Sequence, residues 1–273
     1  MFFGQGKRVK RGLALALVCL GMTGLLACAP KQNERAAGGA PFLLIPFESR
    51  VREVRFRSAD GTALAGQLDL PPGIERPPLV IILHHSGPVD RDAYQYLAAL
   101  LVPEGYAVFR FDKRGNGESG GTYGCCEEED ALAAYQAAVT QEGFDPERVF
   151  IVAQSVGTQI VARRFQEFQS IHPVRGVVLL SSLLEGKEIL PIESPLFILV
   201  SDHEPNVRTL TEDAVAAYRQ KVGEGAEYFI APNTEHTLFD VSQGPIDWSD
   251  PRWPLRFSAE AAQNLLQWLE AHR

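Results

Sequence analysis

The chain has 273 residues, with 34 acidic against 26 basic side chains for a formal net charge of -8, and is 45% hydrophobic and 22% charged. This is ordinary globular composition, long enough for one large α/β domain or two small ones whose core needs no disulfide staples. The acidic balance excludes a surface built to grip a phosphate backbone, which needs clustered basic side chains, so no nucleic-acid partner is expected.

Residues 1–27 contain no acid and four bases, Lys7, Arg8, Lys10 and Arg11, followed by the apolar run Leu13–Leu26. A basic segment and an apolar stretch too short for ~30 Å of hydrocarbon predict a secretory signal. It ends Leu25-Leu26-Ala27-Cys28, which resembles the bacterial lipoprotein signal, cut before a cysteine that takes lipid. An ordinary cleaved signal and an uncleaved N-terminal anchor are the alternatives. The resemblance implies a signal peptide over 1–27, a lipid anchor (palmitate included) on Cys28, and residence in the cell envelope. Ala29 in place of aspartate favours the outer over the inner membrane. Residues 28–41, small and polar with adjacent glycines, read as the lipidated cysteine and a flexible tether, and without the signal the net charge becomes -12. Cys19 leaves with the signal, so only Cys125 and Cys126 remain in the folded part. Neighbouring Cα atoms sit about 3.8 Å apart, below the usual ~4.4–6.8 Å of a disulfide. A thiol pair and a strained, redox-labile ring both stay open. No Cys/His grouping has zinc spacing, so no metal is expected.

Residues 42–273 read as one domain. Val51–Arg57 and Ala63–Leu70 alternate around Asp60-Gly61, the pattern of a hairpin. Leu79–Leu83 is a continuous apolar run, as in a strand buried on both faces. Similar runs follow at Ala107–Phe111, Val149–Ala153, Val177–Leu180, Leu196–Val200 and Tyr228–Ile230. Helical patterns lie between them near 92–103, 127–141, 157–169 and 208–221, with a last one at 258–271. This alternation predicts an α/β fold with a mostly parallel central sheet and helices on both faces. Substrates of such folds sit at the carboxyl ends of the strands.

The residues at those ends carry chemistry. Val149–Ala153 runs into Gln154-Ser155-Val156-Gly157 and a helix, so a serine lies on a sharp strand-to-helix turn with small residues two before and two after. That is the arrangement of a nucleophile elbow; a serine that merely caps the helix is the alternative. Downstream, Leu196–Val200 ends in Ser201-Asp202-His203-Glu204, and Tyr228–Ile230 leads to Glu235-His236. Serine, acid and histidine thus follow in the order of a Ser-acid-His triad, in which imidazole takes the serine proton and the carboxylate holds its tautomer.

Together with three further segments, these residues resemble an α/β-hydrolase of the kind grouped with serine aminopeptidases (S33) and related carboxylesterases. The segments are His84-His85-Ser86-Gly87-Pro88-Val89-Asp90-Arg91-Asp92, Phe111-Asp112-Lys113-Arg114-Gly115-Asn116-Gly117-Glu118-Ser119, and Asp145-Pro146-Glu147-Arg148. The likeness runs from about Val51 to the C-terminus. It implies Ser155 as nucleophile, His236 as base, and the backbone N–H groups of Ser86 and Val156 as oxyanion donors. The family pattern at the acid strand lays Glu204 on the acid position, with Asp202 as its rival. It implies a small ester or acyl substrate, an ester before an amide or peptide bond, and no cofactor. Two positions depart from the pattern, Ala153 and His85 standing where glycine is usual. His85 either narrows the site or lends it a donor, and it motivates a second reading, a catalytically weak protein of this fold that binds a ligand or partner at the envelope.

Other features have plainer readings. Gly115-Asn116-Gly117-Glu118-Ser119-Gly120 matches G-x-G-x-x-G, but further glycine delays the helix, so no dinucleotide site is expected. Glu127-Glu128-Glu129-Asp130 suits the positive end of a helix dipole better than a calcium site. Trp248 and Trp253 either wall the pocket or, the preferred reading, pin the last helix. Only Leu183–Ser194 separates the sixth strand from the acid strand, a loop rather than a sizeable cap domain.

Overall fold

The computed structural model describes residues 45–273, so the signal, Cys28 and the whole tether lie outside the described residues. Strands β1 (Arg50–Arg57) and β2 (Ala63–Leu70) form the expected hairpin, paired antiparallel from Arg57↔Ala63 outward. From there strand and helix alternate: β3 (Leu79–Leu83), α1 (Gln95–Leu101), β4 (Ala107–Phe111), α2 (Glu127–Val139), β5 (Val149–Gln154) and α3 (Val156–Ile171). Then come β6 (Gly176–Leu180), a one-turn α4 (Gly186–Ile189), β7 (Leu196–Ser201), α5 (Val207–Lys221), β8 (Ala226–Ala231) and α6 (Ala259–Ala271).

The sheet order is β1-β2-β4-β3-β5-β6-β7-β8, parallel from β4 to β8 and antiparallel only where β2 joins. This is the α/β-hydrolase architecture the motifs implied. The apolar strands feed two cores in strict alternation. Leu79, Ile81 and Leu83 face one core with α2, α3 and α5, while Val80 and Ile82 face the other with α1 and α6. A continuous apolar run is what a strand covered on both faces requires. The chain goes from β3 outward to β4 and then returns to the other side of β3 as β5. The gap above β3 and β5 is therefore the switch point where open α/β sheets bind ligands.

Three expectations shift in detail. The pattern at 92–103 resolves into a 3₁₀ turn at Arg91–Tyr94 followed by α1. Asp90 accepts the N–H of Asp92 there, and Asp112 accepts the N–H of Arg91, which tightens the first turn. The last strand is twice the length read from its apolar centre. The 183–194 connection carries α4, opened by a reciprocal Glu185–Glu188 capping box, but no cap domain.

The glycine-rich loop after β4 is an ion-pair scaffold. Asp112 is buried and accepts both Nε and Nη2 of Arg91 at 3.0 Å, together with the N–H of Glu118 at 2.8 Å. Gly117, with φ +51°, leaves the room this needs, because a Cβ would stand 2.5 Å from the carboxylate. Ser119 Oγ donates to the Asp112 carbonyl and accepts the N–H of Ala65, tying the loop to β2. Arg114 bridges Asp60 of the hairpin to Asp130 of α2. The acids at the head of α2 therefore do more than meet a dipole: Glu127 pairs with Lys113, and Glu128 and Glu129 pair with Arg164.

The Arg91 side chain is only 9% exposed and Asp112 1%. Removing one partner of such a pair leaves an uncompensated buried charge, which costs about 3–5 kcal/mol. Arg91→Ala is therefore expected to lower the urea-unfolding free energy by about that amount; a loss below about 1 kcal/mol would show that the pair contributes as little as a surface ion pair.

Candidate active site

Ser155 follows directly on β5 with φ +52° and ψ -113°, a conformation side chains rarely adopt. Such strain costs on the order of 1–3 kcal/mol and persists only where the surroundings impose it. Here the Ser155 N–H donates to the carbonyl of Leu180 on β6. Gly157 presses against the end of β3, where an added Cβ would lie 2.8 Å from the Leu83 oxygen and 2.9 Å from that of His84. The side chain makes no cap hydrogen bond, so the helix-cap alternative does not describe it. Ala153, paired with Leu83, is an ordinary fully buried strand residue, and its extra methyl is absorbed in the core.

The other predicted residues come to Ser155 from separate strand ends. His236 Nε2 lies 3.1 Å from Ser155 Oγ, and its Nδ1 lies 2.5 Å from Glu204 Oε1. A carboxylate only accepts, so Nδ1 carries the proton and the Nε2 lone pair faces the serine hydroxyl. Asp202 does not reach His236. It accepts the backbone N–H groups of Asn233 at 2.9 Å and Thr234 at 3.3 Å, bracing the turn that carries His236. Glu235 does likewise from within that turn, accepting the N–H groups of Thr237 and Phe239.

Val156 follows Ser155 directly as the first residue of α3, and Ser86 lies in the loop after β3, two residues past the His84 carbonyl that packs against Gly157. His84 is buried and donates Nε2–H to the Phe111 carbonyl. His85 folds its ring over Gly87, whose N–H donates to Nδ1 at 2.8 Å; the neutral ring thus keeps its proton on Nε2. A Cβ at position 87 would collide with that ring at 2.4 Å, so His85 and Gly87 are a matched pair. Burial first, then the charge of Lys113, pushes His84 down to about 3 and His85 down to about 4. Both rings stay neutral near neutral pH.

Sequence reasoning missed the links among these loops. The N–H of His85 donates to Tyr94 Oη, Tyr94 Oη donates to Gln154 Oε1, and Gln154 Nε2 donates to the Thr237 carbonyl. One buried chain of bonds therefore joins the β3 loop, the residue before Ser155 and the residue after His236. Gln154 offered a signal, since a polar side chain in a doubly covered strand must find partners. Trp248 and Trp253 pack on Phe239, three residues past His236, as an aromatic support for that loop. Among the described residues no group of His, Cys, Asp and Glu could hold a metal ion, and no helix is long and apolar enough to cross a membrane.

Residues 75–237 match the family model described as serine aminopeptidase, S33, and the chain belongs to that hydrolase family. One curated relative, an uncharacterized protein, YnbC, of Escherichia coli K12, is 30% identical over 153 residues. That match takes in 53% of this chain and 25% of the relative, so the chain spans about a quarter of that protein's length. The fold is shared with solved esterases. The Pyrococcus furiosus esterase Pf2001 gives a TM-score of 0.59 at 18% identity, over 86% of this chain and 97% of its own. EstE1, a thermophilic carboxylesterase cloned from a metagenomic library, gives 0.60 at 14% identity, over 84% and 90%.

The neutral histidines set a pH response. Both bind protons more weakly folded than unfolded, where the value is 6.5. Stability is therefore complete above about 6.5 and falls as pH drops towards 4, because the unfolded chain takes up more protons. Asp60, held down by Arg114, and Asp250, held down by Arg252, are among several lowered carboxylates that add to the loss at the acid end, while burial raises Asp90 and opposes it. The urea midpoint should decline from pH 6.5 to 4.5, and His84→Gln should flatten the slope even if it lowers the whole curve. An unchanged slope in that variant would remove His84 as the cause.

Proposed function

We propose that the protein is a serine hydrolase that cleaves a carboxylic ester through an acyl-enzyme, with amide or peptide cleavage secondary. The observation that carries this is the Ser155–His236–Glu204 chain of hydrogen bonds, with its tautomer fixed so that Nε2 is free to accept. Ser155 Oγ attacks the acyl carbon as its proton passes to His236 Nε2, and the imidazolium is stabilised by Glu204. The N–H groups of Ser86 and Val156 receive the oxyanion, as the elbow geometry of this fold class allows. Collapse breaks the ester C–O bond and His236 returns the proton to the departing alcohol. Water then repeats the sequence on the acyl-serine.

Glu204 fills the acid role in this reading, and Asp202 positions the His236 turn. The short 183–194 connection leaves the serine beneath loops rather than a lid, an open site that admits bulky or peripheral ester substrates as well as small ones. The lipid anchor on Cys28, and with it an envelope location, outer membrane before inner, completes the proposal and rests on the lipoprotein-like signal alone.

Treating the full chain in detergent with a fluorophosphonate, followed by peptide mass mapping, tests the nucleophile. Adduct on Ser155, absent from Ser155→Ala, supports hydrolysis. No adduct in folded protein would sink it and leave ligand binding at the envelope. The two acids separate by substitution. Glu204→Gln is expected to lower kcat for a short activated ester by about 10³–10⁴, the order for an amide in place of a triad carboxylate. Asp202→Asn should cost less than about tenfold, since it keeps one of the two oxygens that accept the Asn233 and Thr234 N–H groups and does not touch His236. The reverse ranking would return the acid role to Asp202.

A further inference from the structure

Two thiols at the head of α2 take no part in this chemistry. Cys125 is exposed and Cys126 half-buried, and Cys126 Sγ–H donates to Cys125 Sγ at 2.7 Å. Cys126 adopts the left-handed conformation, φ 62° and ψ 25°, as the chain turns into α2. The neighbours of the pair reach the β3 loop by two routes. Tyr123 Oη donates to the Ser86 carbonyl. Glu127 pairs with Lys113 at 2.6 Å, and Lys113 Nζ donates to the His85 carbonyl at 2.9 Å. Lys113 also lies 5.3 Å from the centre of the Tyr123 ring. A small solvent-open cleft has Leu83 and His84 on its lining together with Tyr123 and Cys125. The dithiol loop and the strand that carries the proposed oxyanion loop thus border one cleft.

We propose that Cys125 and Cys126 are a redox modification site, closing to a vicinal disulfide that clasps the Tyr123 arm and holds the Ser86 loop in its working position. The oxidant is a disulfide of the glutathione class. The thiolate of Cys125, the more exposed sulfur, attacks it to give a mixed disulfide and one free thiol. Cys126, whose proton is held by its bond to Cys125, then loses that proton to solvent and displaces the second thiol. Two protein thiols and one oxidant disulfide become one ring and two small thiols, a balanced two-electron exchange. The two sulfurs already lie against each other, so closing the ring asks for little movement. Stabilisation by a cross-link grows with the loop it closes, so a ring of adjacent residues leaves global stability nearly unchanged. Its effect is confined to the mobility of the arm.

The gating half of the proposal rests on the hydrolase reading, so the test has two readouts. The full chain in detergent is equilibrated with oxidised glutathione or with dithiothreitol. Tryptic peptide 115–148 holds both thiols and no other cysteine. It should be about 2 Da lighter after oxidation, through loss of two hydrogens, and resist alkylation. Fluorophosphonate labelling at Ser155 should be faster in the oxidised form, since closing of the arm would complete the oxyanion loop. Cys125→Ser and Cys126→Ser should both label at the reduced rate whatever the buffer. Tyr123→Phe, which keeps the dithiol but loses the hydroxyl on Ser86, should still form the ring and lose the redox response. Two alkylatable thiols after oxidation would overturn the site. A ring with no change in labelling rate, or a full redox response in Tyr123→Phe, would overturn the gate. If Ser155 labels in neither state, the hydrolase reading fails while the peptide mass still decides the disulfide.

Discussion

The strained backbone at Ser155 is the constraint on which the rest of the site depends. A side chain at φ +52° can be held only where three strands leave it no alternative. The N–H is taken by β6, the following turn is pressed on β3 through Gly157, and β5 itself is locked between the two. The strain in return lifts the hydroxyl above the carboxyl edge of the sheet, where residues from β7 and β8 can meet it. An unstrained serine at the same position would be a helix cap.

Rigidity at one strand end is not enough, because the groups around Ser155 come from loops that could drift independently. The Tyr94–Gln154 pair addresses this. Both side chains are almost fully buried, so their hydrogen bonds form where no water competes. Gln154 cannot move towards Thr237 without loosening Tyr94, and Tyr94 cannot move without freeing the N–H of His85. The β3 loop and the His236 turn therefore share a reference point one residue before the nucleophile. Asp202 adds a second fastening, which explains an acid at that place in the sequence that never touches the histidine.

Much of this was legible from residue order. The strands announced themselves because burial on both faces demands unbroken apolar runs, and the elbow because its geometry tolerates few residues beside the serine. Glu204 was preferred to Asp202 only through the register of a family pattern, and geometry gives the reason: from its place the longer side chain reaches Nδ1. The polar link from Tyr94 to Gln154 to Thr237 was not legible, since its members are separated by 60 and 83 residues and carry no shared motif. The role of His85 was ambiguous for a related reason. Its tautomer is dictated by a backbone N–H two residues on, which becomes visible only once the ring is seen folded over Gly87.

The two glycine-tolerant loops that resemble family motifs prove to be one object. Arg91, from the loop after β3, is clamped by Asp112 from the loop after β4, and Glu53 on the edge strand and Glu118 complete its shell. A formal nucleotide-like glycine pattern is thereby used to bring backbone close to a carboxylate rather than to a phosphate. Its glycines answer to the space around Asp112 and to the tight turn beside it. The consequence reaches the site, because Arg91 fixes the far end of the same segment whose near end carries His85 and Ser86. The loop is then held at both ends, by an ion pair at Arg91 with the Lys113 N–H on the Val89 carbonyl, and by Tyr94 and Lys113 at His85, which leaves the Ser86–Pro88 span as the part whose position neighbours such as Tyr123 can still tune.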